Sequence, residues 1–313
     1  MEGSMKVGVV GTGMIGASMA ALFTGFGHET YLLASSPERI EHAKENWRAI
    51  YQTLAERGLA TDAQIKACEG RLSVITEYAD MAEAVVIFEC VKEDEATKFS
   101  VYRQIEDHCP ACRAIASVSS AMSPDVLQRG CSRMKDRIVT AHPFYPPHLV
   151  PFVELVRTAD TDDEAAALVY NLLEGCGRKV CVMKKAAPGF IANRLQHALL
   201  REATYMVEQG MADPADIDKA LMYSFMPRYS SVGLFEHQDA AGLDMVVSIE
   251  DRLLQDLSTA DKTPDYIRDR ALRGDFGQKS GQGIYSWDAD SIARFKRDAA
   301  EPYWKYFDWP MPE

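Results

Sequence analysis

The sequence predicts an α/β protein whose N-terminal part is a doubly wound sheet and whose C-terminal part is all helical. Two observations lead to this prediction. From residue 6 to residue 183, short apolar runs alternate with longer helical patterns, as parallel strands joined by crossover helices require. After Pro188-Gly189-Phe190 the alternation stops and long helix-like segments follow. Since a domain commonly holds about 100–200 residues, we divide the 313 residues into domains at 1–186 and 187–313.

Each element follows from a local pattern. Residues 6–10 form an apolar run typical of a buried strand, and residues 17–26 carry small and apolar side chains at helical spacing. Pro37 is well placed to open a polar helix over residues 37–57. Further strands are predicted at residues 29–34, 72–76, 85–90, 113–118, 137–141 and 179–183, with a helix at 95–107. In the second domain, helices are predicted at residues 191–210, 213–224 and 246–258.

The composition excludes several classes of protein. With 47% hydrophobic and 26% charged residues, the chain has the composition of an ordinary globular protein. The net charge of -12 repels the phosphates of nucleic acids and anionic lipids. No apolar run approaches the ~20 residues that span a bilayer, and the start lacks the pattern of a signal peptide. We therefore expect a cytoplasmic protein with neither a nucleic-acid nor a membrane partner.

A glycine-rich motif links the first predicted strand to the first predicted helix. It reads Gly11-Thr12-Gly13-Met14-Ile15-Gly16. In this context the glycines give a tight turn, close approach of the backbone to a pyrophosphate and close helix packing, while the helix N-terminus faces the anion. The motif therefore predicts a Rossmann-type dinucleotide site. The alternative is a glycine turn that serves packing alone.

The end of the second strand bears on the choice between NAD and NADP. An acidic residue usually lies there and binds the adenosine ribose, but this chain has Leu33-Ala34-Ser35-Ser36. The missing carboxylate removes a charge that would repel a 2′-phosphate, and Ser35, Ser36 and Arg39 could hydrogen-bond one. The sequence therefore permits NADP. In the alternative interpretation the serines cap the next helix and Arg39 is solvated.

Candidate catalytic residues lie at the ends of two later strands. Ser119 directly follows the strand at residues 113–118, His142 directly follows the strand at 137–141, and Glu154 comes twelve residues after the histidine. Ligands of such sheets bind at the carboxyl ends of the strands. A neutral imidazole can take a hydroxyl proton near pH 7, and a carboxylate on its other nitrogen stabilises the imidazolium. A His–Glu pair therefore suits alcohol oxidation, although a single histidine is more often structural.

Six segments in order carry a resemblance to a known family. They are the glycine-rich motif, Ser119-Ser120, His142-Pro143-Phe144, Val153-Glu154-Leu155, Pro188-Gly189-Phe190-Ile191-Ala192-Asn193-Arg194 and Gly277-Gln278-Lys279-Ser280-Gly281-Gln282-Gly283. Over nearly the whole chain, this order resembles the L-3-hydroxyacyl-CoA dehydrogenase superfamily.

The resemblance implies roles for individual residues. It makes His142 the general base, Glu154 its partner, and Ser119 and Asn193 hydrogen-bond donors to the reacting oxygen. It also implies NAD as cofactor and a homodimer formed by the helical half. The side chains that it places along the nicotinamide side of the cofactor cleft are Glu89, Glu93 and Lys98.

Departures from the CoA-using branch bear on the substrate. Tyr145 stands where that branch usually has Asn, and the stretch after it also differs. Pro146-Pro147 and Met226-Pro227-Arg228-Tyr229 instead resemble the branch that acts on free hydroxy acids, which includes gulonate dehydrogenase and lambda-crystallin. Arg228 would then bind a carboxylate in bidentate geometry. The alternative is a solvated surface arginine.

The sequence thus predicts an NAD(P)-dependent oxidoreductase that interconverts the 3-hydroxy and 3-oxo groups of a small carboxylate-bearing acid. Two alternatives stay open. One is an L-3-hydroxyacyl-CoA dehydrogenase of the 3-hydroxybutyryl-CoA type, and the other is a non-enzymatic, crystallin-like NAD(P)-binding protein. We predict no metal site, because the Cys109-Pro-Ala-Cys112 spacing lacks a second cysteine pair.

Overall fold

The computed structural model describes residues 3–312 and contains an eight-stranded sheet with the order β3-β2-β1-β4-β5-β6-β7-β8. The strands are β1 (Lys6–Val10), β2 (Glu29–Leu33), β3 (Leu72–Ile75), β4 (Val86–Glu89), β5 (Ala114–Ser117), β6 (Ile138–Pro143), β7 (Phe152–Val156) and β8 (Lys179–Met183). Neighbouring strands from β3 to β6 are parallel, whereas β7 runs antiparallel to β6. The order reverses at β1, so the predicted doubly wound sheet is confirmed.

The helices fall into two groups along the chain. Those among the strands are α1 (Met14–Gly25), α2 (Ile40–Glu56), α3 (Asp62–Glu69), α4 (Glu95–His108), α5 (Pro124–Gln128) and α6 (Asp163–Gly175). Those after the sheet are α7 (Ala192–Glu208), α8 (Pro214–Tyr223), α9 (Leu234–Ala241), α10 (Leu243–Leu253), α11 (Asp265–Arg273) and α12 (Ala289–Ala300). The predicted helical C-terminal part is therefore confirmed. Within residues 3–312, no helix combines the length and the apolar character needed to cross a bilayer.

The chain divides into two compact units. One comprises the residues up to Ile191 together with those from Ala300 onward, and the other is Ala192–Ala299. The returning C-terminal segment packs on the first unit: the Trp309 side chain is buried, and its ring lies 2.3 Å from where a Cβ on Gly25 would stand. The glycine therefore makes room for the indole. The domain boundary between residues 186 and 187 stays a prediction.

Three elements of the first unit were not predicted from the sequence, namely β7, α5 and α6. Strand β7 follows a proline-rich stretch and carries Glu154 among apolar residues, which hides its pattern. Helix α6 had a usable signal, because the Asp162 side chain caps it by accepting from the backbone N–H of Glu164 at 3.2 Å. The antiparallel β7 places Glu154 opposite His142 in register.

The cysteines of the Cys-x-x-Cys spacing lie inside the first unit. Cys109 and Cys112 are both free thiols and both buried. Burial raises the pKa of Cys109 to about 11 and that of Cys112 to about 12. Both are therefore protonated thiols at neutral pH, which is the unreactive form.

Candidate active site

The glycine-rich loop joins β1 to α1 at the carboxyl edge of the sheet. Gly11 has a φ of 111°, and a Cβ there would lie 2.7 Å from the Cys90 carbonyl oxygen. A Cβ on Gly16 would lie 1.9 Å from the Gly11 carbonyl oxygen, so only glycine lets the helix pack on the turn. A Cβ on Gly13 would meet no described atom within 4 Å. Packing thus explains two of the glycines, whereas the space beside Gly13 is open to a ligand.

The first turn of α1 fits the pyrophosphate of a dinucleotide. Gly13 is its N-cap residue, and among the described residues no side chain caps it and no acidic residue lies in its first turn. Its backbone N–H groups are therefore available to an anion. Asn46 of α2 donates to the Thr12 carbonyl at 3.2 Å and holds the loop. Met14 of the motif is exposed, whereas Ile15 packs against the core.

A carboxylate that the sequence interpretation missed lies near the predicted ribose site. Ser35 and Arg39 are exposed, and Ser36 is partly buried. A hydrogen bond from the Ser36 hydroxyl lowers the pKa of the Glu38 carboxyl. Glu38 is therefore ionised at neutral pH, close to the serines that were predicted to receive a 2′-phosphate. Its position in the sequence, two residues after Ser36, was the available signal.

His142 and Glu154 form a buried pair. The His142 Nδ1 atom lies 2.7 Å from Glu154 Oε2, and the Glu154 side chain is fully buried. The other carboxylate oxygen accepts from the Ile191 backbone N–H at 2.7 Å. A carboxylate at Nδ1 selects the tautomer that carries its proton there, so Nε2 is left as the proton acceptor.

Two phenylalanine rings flank the His142 imidazole. The ring centroids of Phe144 and Phe190 lie 5.6 Å and 5.5 Å from that of His142. Phe190 has a φ of 49°, a left-handed backbone conformation that is uncommon for an aromatic residue. The backbone thus holds a buried apolar ring against the imidazole in a costly conformation.

Ser119 is held in a network around Glu93. Its hydroxyl donates to the Glu93 carboxylate, and its Oγ accepts from the Met122 backbone N–H at 2.8 Å. Glu93 also accepts from the Ala121 backbone N–H at 3.1 Å and pairs with the Lys98 ammonium at 3.3 Å. A serine hydroxyl carries one proton. In this structure that proton is directed to Glu93, so donation to a substrate oxygen would require the hydroxyl to rotate.

Beneath Glu93 lies a fully buried ion pair. The Lys98 ammonium contacts both oxygens of Glu89 at 2.9 Å, and both side chains are 0% exposed. Glu89 also accepts from the hydroxyls of Tyr102 at 2.9 Å and Ser117 at 2.7 Å and from the Val91 backbone N–H at 2.9 Å. Of the three side chains predicted along the nicotinamide side, the structure therefore exposes only Glu93 in part. Contact of the three with the cofactor stays a prediction.

Comparison with known proteins assigns the chain to a family. Residues 6–186 match the model of the 3-hydroxyacyl-CoA dehydrogenase NAD-binding domain, and residues 189–287 match the C-terminal domain of the same family. The protein belongs to the 3-hydroxyacyl-CoA dehydrogenase family. The resemblance drawn from the sequence motifs is thereby confirmed.

Relatives within the 3-hydroxyacyl-CoA dehydrogenase family include enzymes and a crystallin. The chain is 28% identical over 94% of both chains to 5-formyl-3-hydroxy-2-methylpyridine 4-carboxylate 5-dehydrogenase of Mesorhizobium japonicum. A solved structure of a dehydrogenase of this name, described as an NAD+-dependent dismutase, has a TM-score of 0.86 and covers 96% of both chains. The chain is also 32% identical to rabbit (Oryctolagus cuniculus) lambda-crystallin over 75% of both chains. It is 31% identical to L-carnitine dehydrogenase of Bacillus cereus over 76% of this chain and 72% of the relative. The protein is thus an NAD-dependent oxidoreductase of the family that acts on CH–OH groups.

Two of the predicted site residues lie in the helical unit of this family member. Asn193 stands in the first turn of α7 and is partly buried. Arg228 lies in a short 3-10 helix, Pro227–Ser230, where its Nη1 is 3.0 Å from His237 Nε2. His237 was not singled out in the sequence, because it follows Arg228 across a helix boundary without a recognisable spacing. The catalytic and substrate-binding roles of Asn193 and Arg228 stay predictions.

The segment between β6 and β7 contacts helix α1. The Tyr145 hydroxyl lies 3.5 Å from the Met14 sulfur atom, and His148 Nδ1 lies 3.0 Å from Ser18 Oγ. Burial and the nearby Arg178 guanidinium lower the pKa of His148 to about 4, so this imidazole is neutral at pH 7. Arg178 is itself buried and donates to backbone carbonyls of the segment. His148 thus packs the segment against α1.

Proposed function

We propose that this dehydrogenase interconverts the 3-hydroxy and 3-oxo groups of a small, carboxylate-bearing hydroxy acid. The observation that carries the proposal is the 2.7 Å hydrogen bond between His142 Nδ1 and the buried Glu154 carboxylate. The pair stands at the carboxyl edge of a sheet whose glycine-rich loop fits a dinucleotide. Ligands of doubly wound sheets bind at this edge.

Within the proposal, His142 Nε2 takes the hydroxyl proton of the alcohol substrate. Glu154 stabilises the resulting imidazolium through Nδ1–H and keeps the ring oriented. The nicotinamide of bound NAD supplies the hydride acceptor. The Phe144 and Phe190 rings pack against the imidazole. Asn193, and Ser119 once its hydroxyl leaves Glu93, would donate to the substrate oxygen in the reduction direction.

The substrate class rests on Arg228 and on the chemistry named in the relatives. Two relatives are named for a pyridine carboxylate and for L-carnitine, neither of which is named as a CoA ester. An arginine fork matches a carboxylate in bidentate geometry. The family name itself favours the second candidate, a 3-hydroxyacyl-CoA ester. A crystallin-like protein that binds NAD without turnover is the third, favoured by the lambda-crystallin relative.

A substrate screen tests the three candidates. We expect nicotinamide absorbance to report turnover of free 3-hydroxy acids, with weaker or no turnover of 3-hydroxyacyl-CoA esters. Arg228→Ala should raise KM for the free acid about 10- to 100-fold, because a charge-assisted hydrogen bond is lost. Arg297→Ala, which removes an exposed arginine elsewhere in the helical unit, is the control. If only CoA esters are turned over, and Arg228→Ala does not change that activity, Arg228 does not bind a substrate carboxylate. NAD binding without any turnover would favour the crystallin-like alternative.

The choice between NAD and NADP is a separate prediction. NAD is the cofactor indicated by the family, and the ionised Glu38 carboxylate repels a 2′-phosphate. We expect kcat/KM to be higher with NAD than with NADP. We expect Arg39→Ala to lower kcat/KM for NADP about tenfold, with little change for NAD, because the Arg39 guanidinium is the positive charge predicted to bind the 2′-phosphate. Glu38→Gln should improve NADP use. If the ratio of kcat/KM with NADP to kcat/KM with NAD is the same in Arg39→Ala as in the wild type, the NADP hypothesis is wrong.

The helical unit supports a homodimer as its assembly. In α10 and the residue that follows it, Leu243, Val247 and Leu254 are 60%, 57% and 57% exposed in the single chain. Met245 and Ile249, on another side of α10, are 48% and 51% exposed. A helix that is apolar on more than one side is normally buried. A second copy of the helical unit would bury it.

Light scattering after gel filtration tests the homodimer. We expect twice the chain mass for the wild-type protein and a monomeric or strongly concentration-dependent mass for Val247→Asp, because a carboxylate cannot be buried unpaired in an apolar interface. Lys262→Asp, an exposed substitution outside the helix, should leave the mass unchanged. A wild-type monomer at high concentration would contradict the assembly.

A further inference from the structure

Glu93 lies on the half of the sheet that serves the second nucleotide of a dinucleotide. In doubly wound folds the cofactor crosses the point where strand order reverses, here between β1 and β4. The glycine-rich loop after β1 serves one half. The other half is formed by the carboxyl ends of β4, β5 and β6. Glu93 follows β4, Ser119 follows β5, and His142 lies at the end of β6. Because His142 is where the chemistry is proposed, this half receives the nicotinamide.

The Glu93 carboxylate is fixed and ionised. It accepts from the Ser119 hydroxyl and from the backbone N–H groups of Ala121 and Met122, and it contacts the Lys98 ammonium. Burial opposes ionisation, but the Ser119 hydrogen bond, the Lys98 charge and the Ala121 N–H outweigh it and lower the pKa of Glu93. The side chain remains 36% exposed. Glu93 therefore presents a permanent negative charge at the surface of the site.

Lys98 does not cancel this charge. Its ammonium lies 2.9 Å from both oxygens of Glu89 but 3.3 Å from the nearer oxygen of Glu93. Glu89 and Lys98 form the buried, bidentate pair. Together with Glu93, they carry one positive charge and two negative charges. The excess negative charge resides on Glu93, the member with access to solvent.

We propose that Glu93 makes the site distinguish the redox state of its cofactor, binding the oxidised nicotinamide more favourably relative to the reduced one. The oxidised ring is cationic and the reduced ring is neutral, while the two share nearly the same shape. A fixed carboxylate in a partly desolvated site attracts the cation and is indifferent to the neutral ring. The proposal concerns cofactor binding alone and is independent of which hydroxy acid the enzyme uses.

Binding measurements without substrate test the proposal. The dissociation constants of NAD+ and NADH are measured by calorimetry for the wild-type protein and for Glu93→Gln. We expect the ratio Kd(NAD+)/Kd(NADH) to rise about tenfold in Glu93→Gln, almost entirely through weaker NAD+ binding. Glu93→Asp, which keeps the charge, should keep a ratio close to that of the wild type. Glu95→Gln, which removes the charge of a neighbouring exposed carboxylate, is the matched control and should leave both constants unchanged.

The two possible roles of Glu93 give different results. If Glu93 only holds the Ser119 loop, Glu93→Gln weakens both cofactor forms by the same factor and the ratio stays constant, which overturns the proposal. An unchanged pair of dissociation constants overturns it as well. Circular dichroism of the variant establishes that the sheet is folded. A protein that fails to oxidise any 3-hydroxy acid but shows the tenfold change in ratio would refute the proposed substrate and support this inference.

Discussion

His142→Ala is expected to lower kcat about 10²- to 10⁴-fold while NAD binds as in the wild-type protein. The substitution removes the group that is proposed to take the hydroxyl proton, and the glycine-rich loop, which is predicted to bind the pyrophosphate, is untouched. Stopped-flow and steady-state nicotinamide absorbance give kcat, and calorimetry gives the NAD affinity. His108→Ala, an exposed histidine at the end of α4, should keep full activity.

Glu154→Gln probes the other member of the pair. Its amide matches the carboxylate in size but can no longer stabilise the imidazolium by charge, and we expect a loss of similar order. The kcat and NAD-affinity measurements described for His142→Ala report this loss. Wild-type turnover in either variant would exclude the dyad.

Lys98→Met is expected to lower the free energy of unfolding by about 3–5 kcal/mol. The methionine keeps the apolar length of the side chain but leaves the Glu89 carboxylate buried without its cation. Urea unfolding followed by tryptophan fluorescence measures the change. Lys6→Met removes a cation from an exposed ion pair and should change the midpoint little, because solvent screens such pairs.

The double variant Lys98→Met/Glu89→Met separates lost packing from an uncompensated charge. If the stranded carboxylate causes the destabilisation, removing it restores much of the lost stability, although the hydroxyls of Tyr102 and Ser117 lose their acceptor. A double variant that is less stable than Lys98→Met would show that the pair contributes mainly through those hydrogen bonds. In either case the single variant should also loosen Glu93 and Ser119, which lie above the pair.

The proposed catalytic pair, His142 and Glu154, illustrates why residue roles were harder to predict than the fold. The sequence indicated His142 from its position at the end of a strand and Glu154 from the chemistry of alcohol oxidation, and the family resemblance then made the two partners. Nothing in a spacing of twelve residues brings the two together. They meet because β7 runs antiparallel to β6. The sequence did not reveal this pairing, because β7 contains a glutamate and follows a proline-rich stretch.

Local patterns of the sequence determined the alternating elements, the glycine-rich turn and the all-helical second half, because periodicity and backbone steric limits act over a few residues. Only the tertiary structure decided which charged side chains are buried and what they contact. It paired Lys98 with Glu89, left Glu93 partly exposed, and directed the Ser119 proton towards Glu93. The energy of a charge depends on desolvation and on partners from distant parts of the chain, and these become defined only when the strands lie side by side.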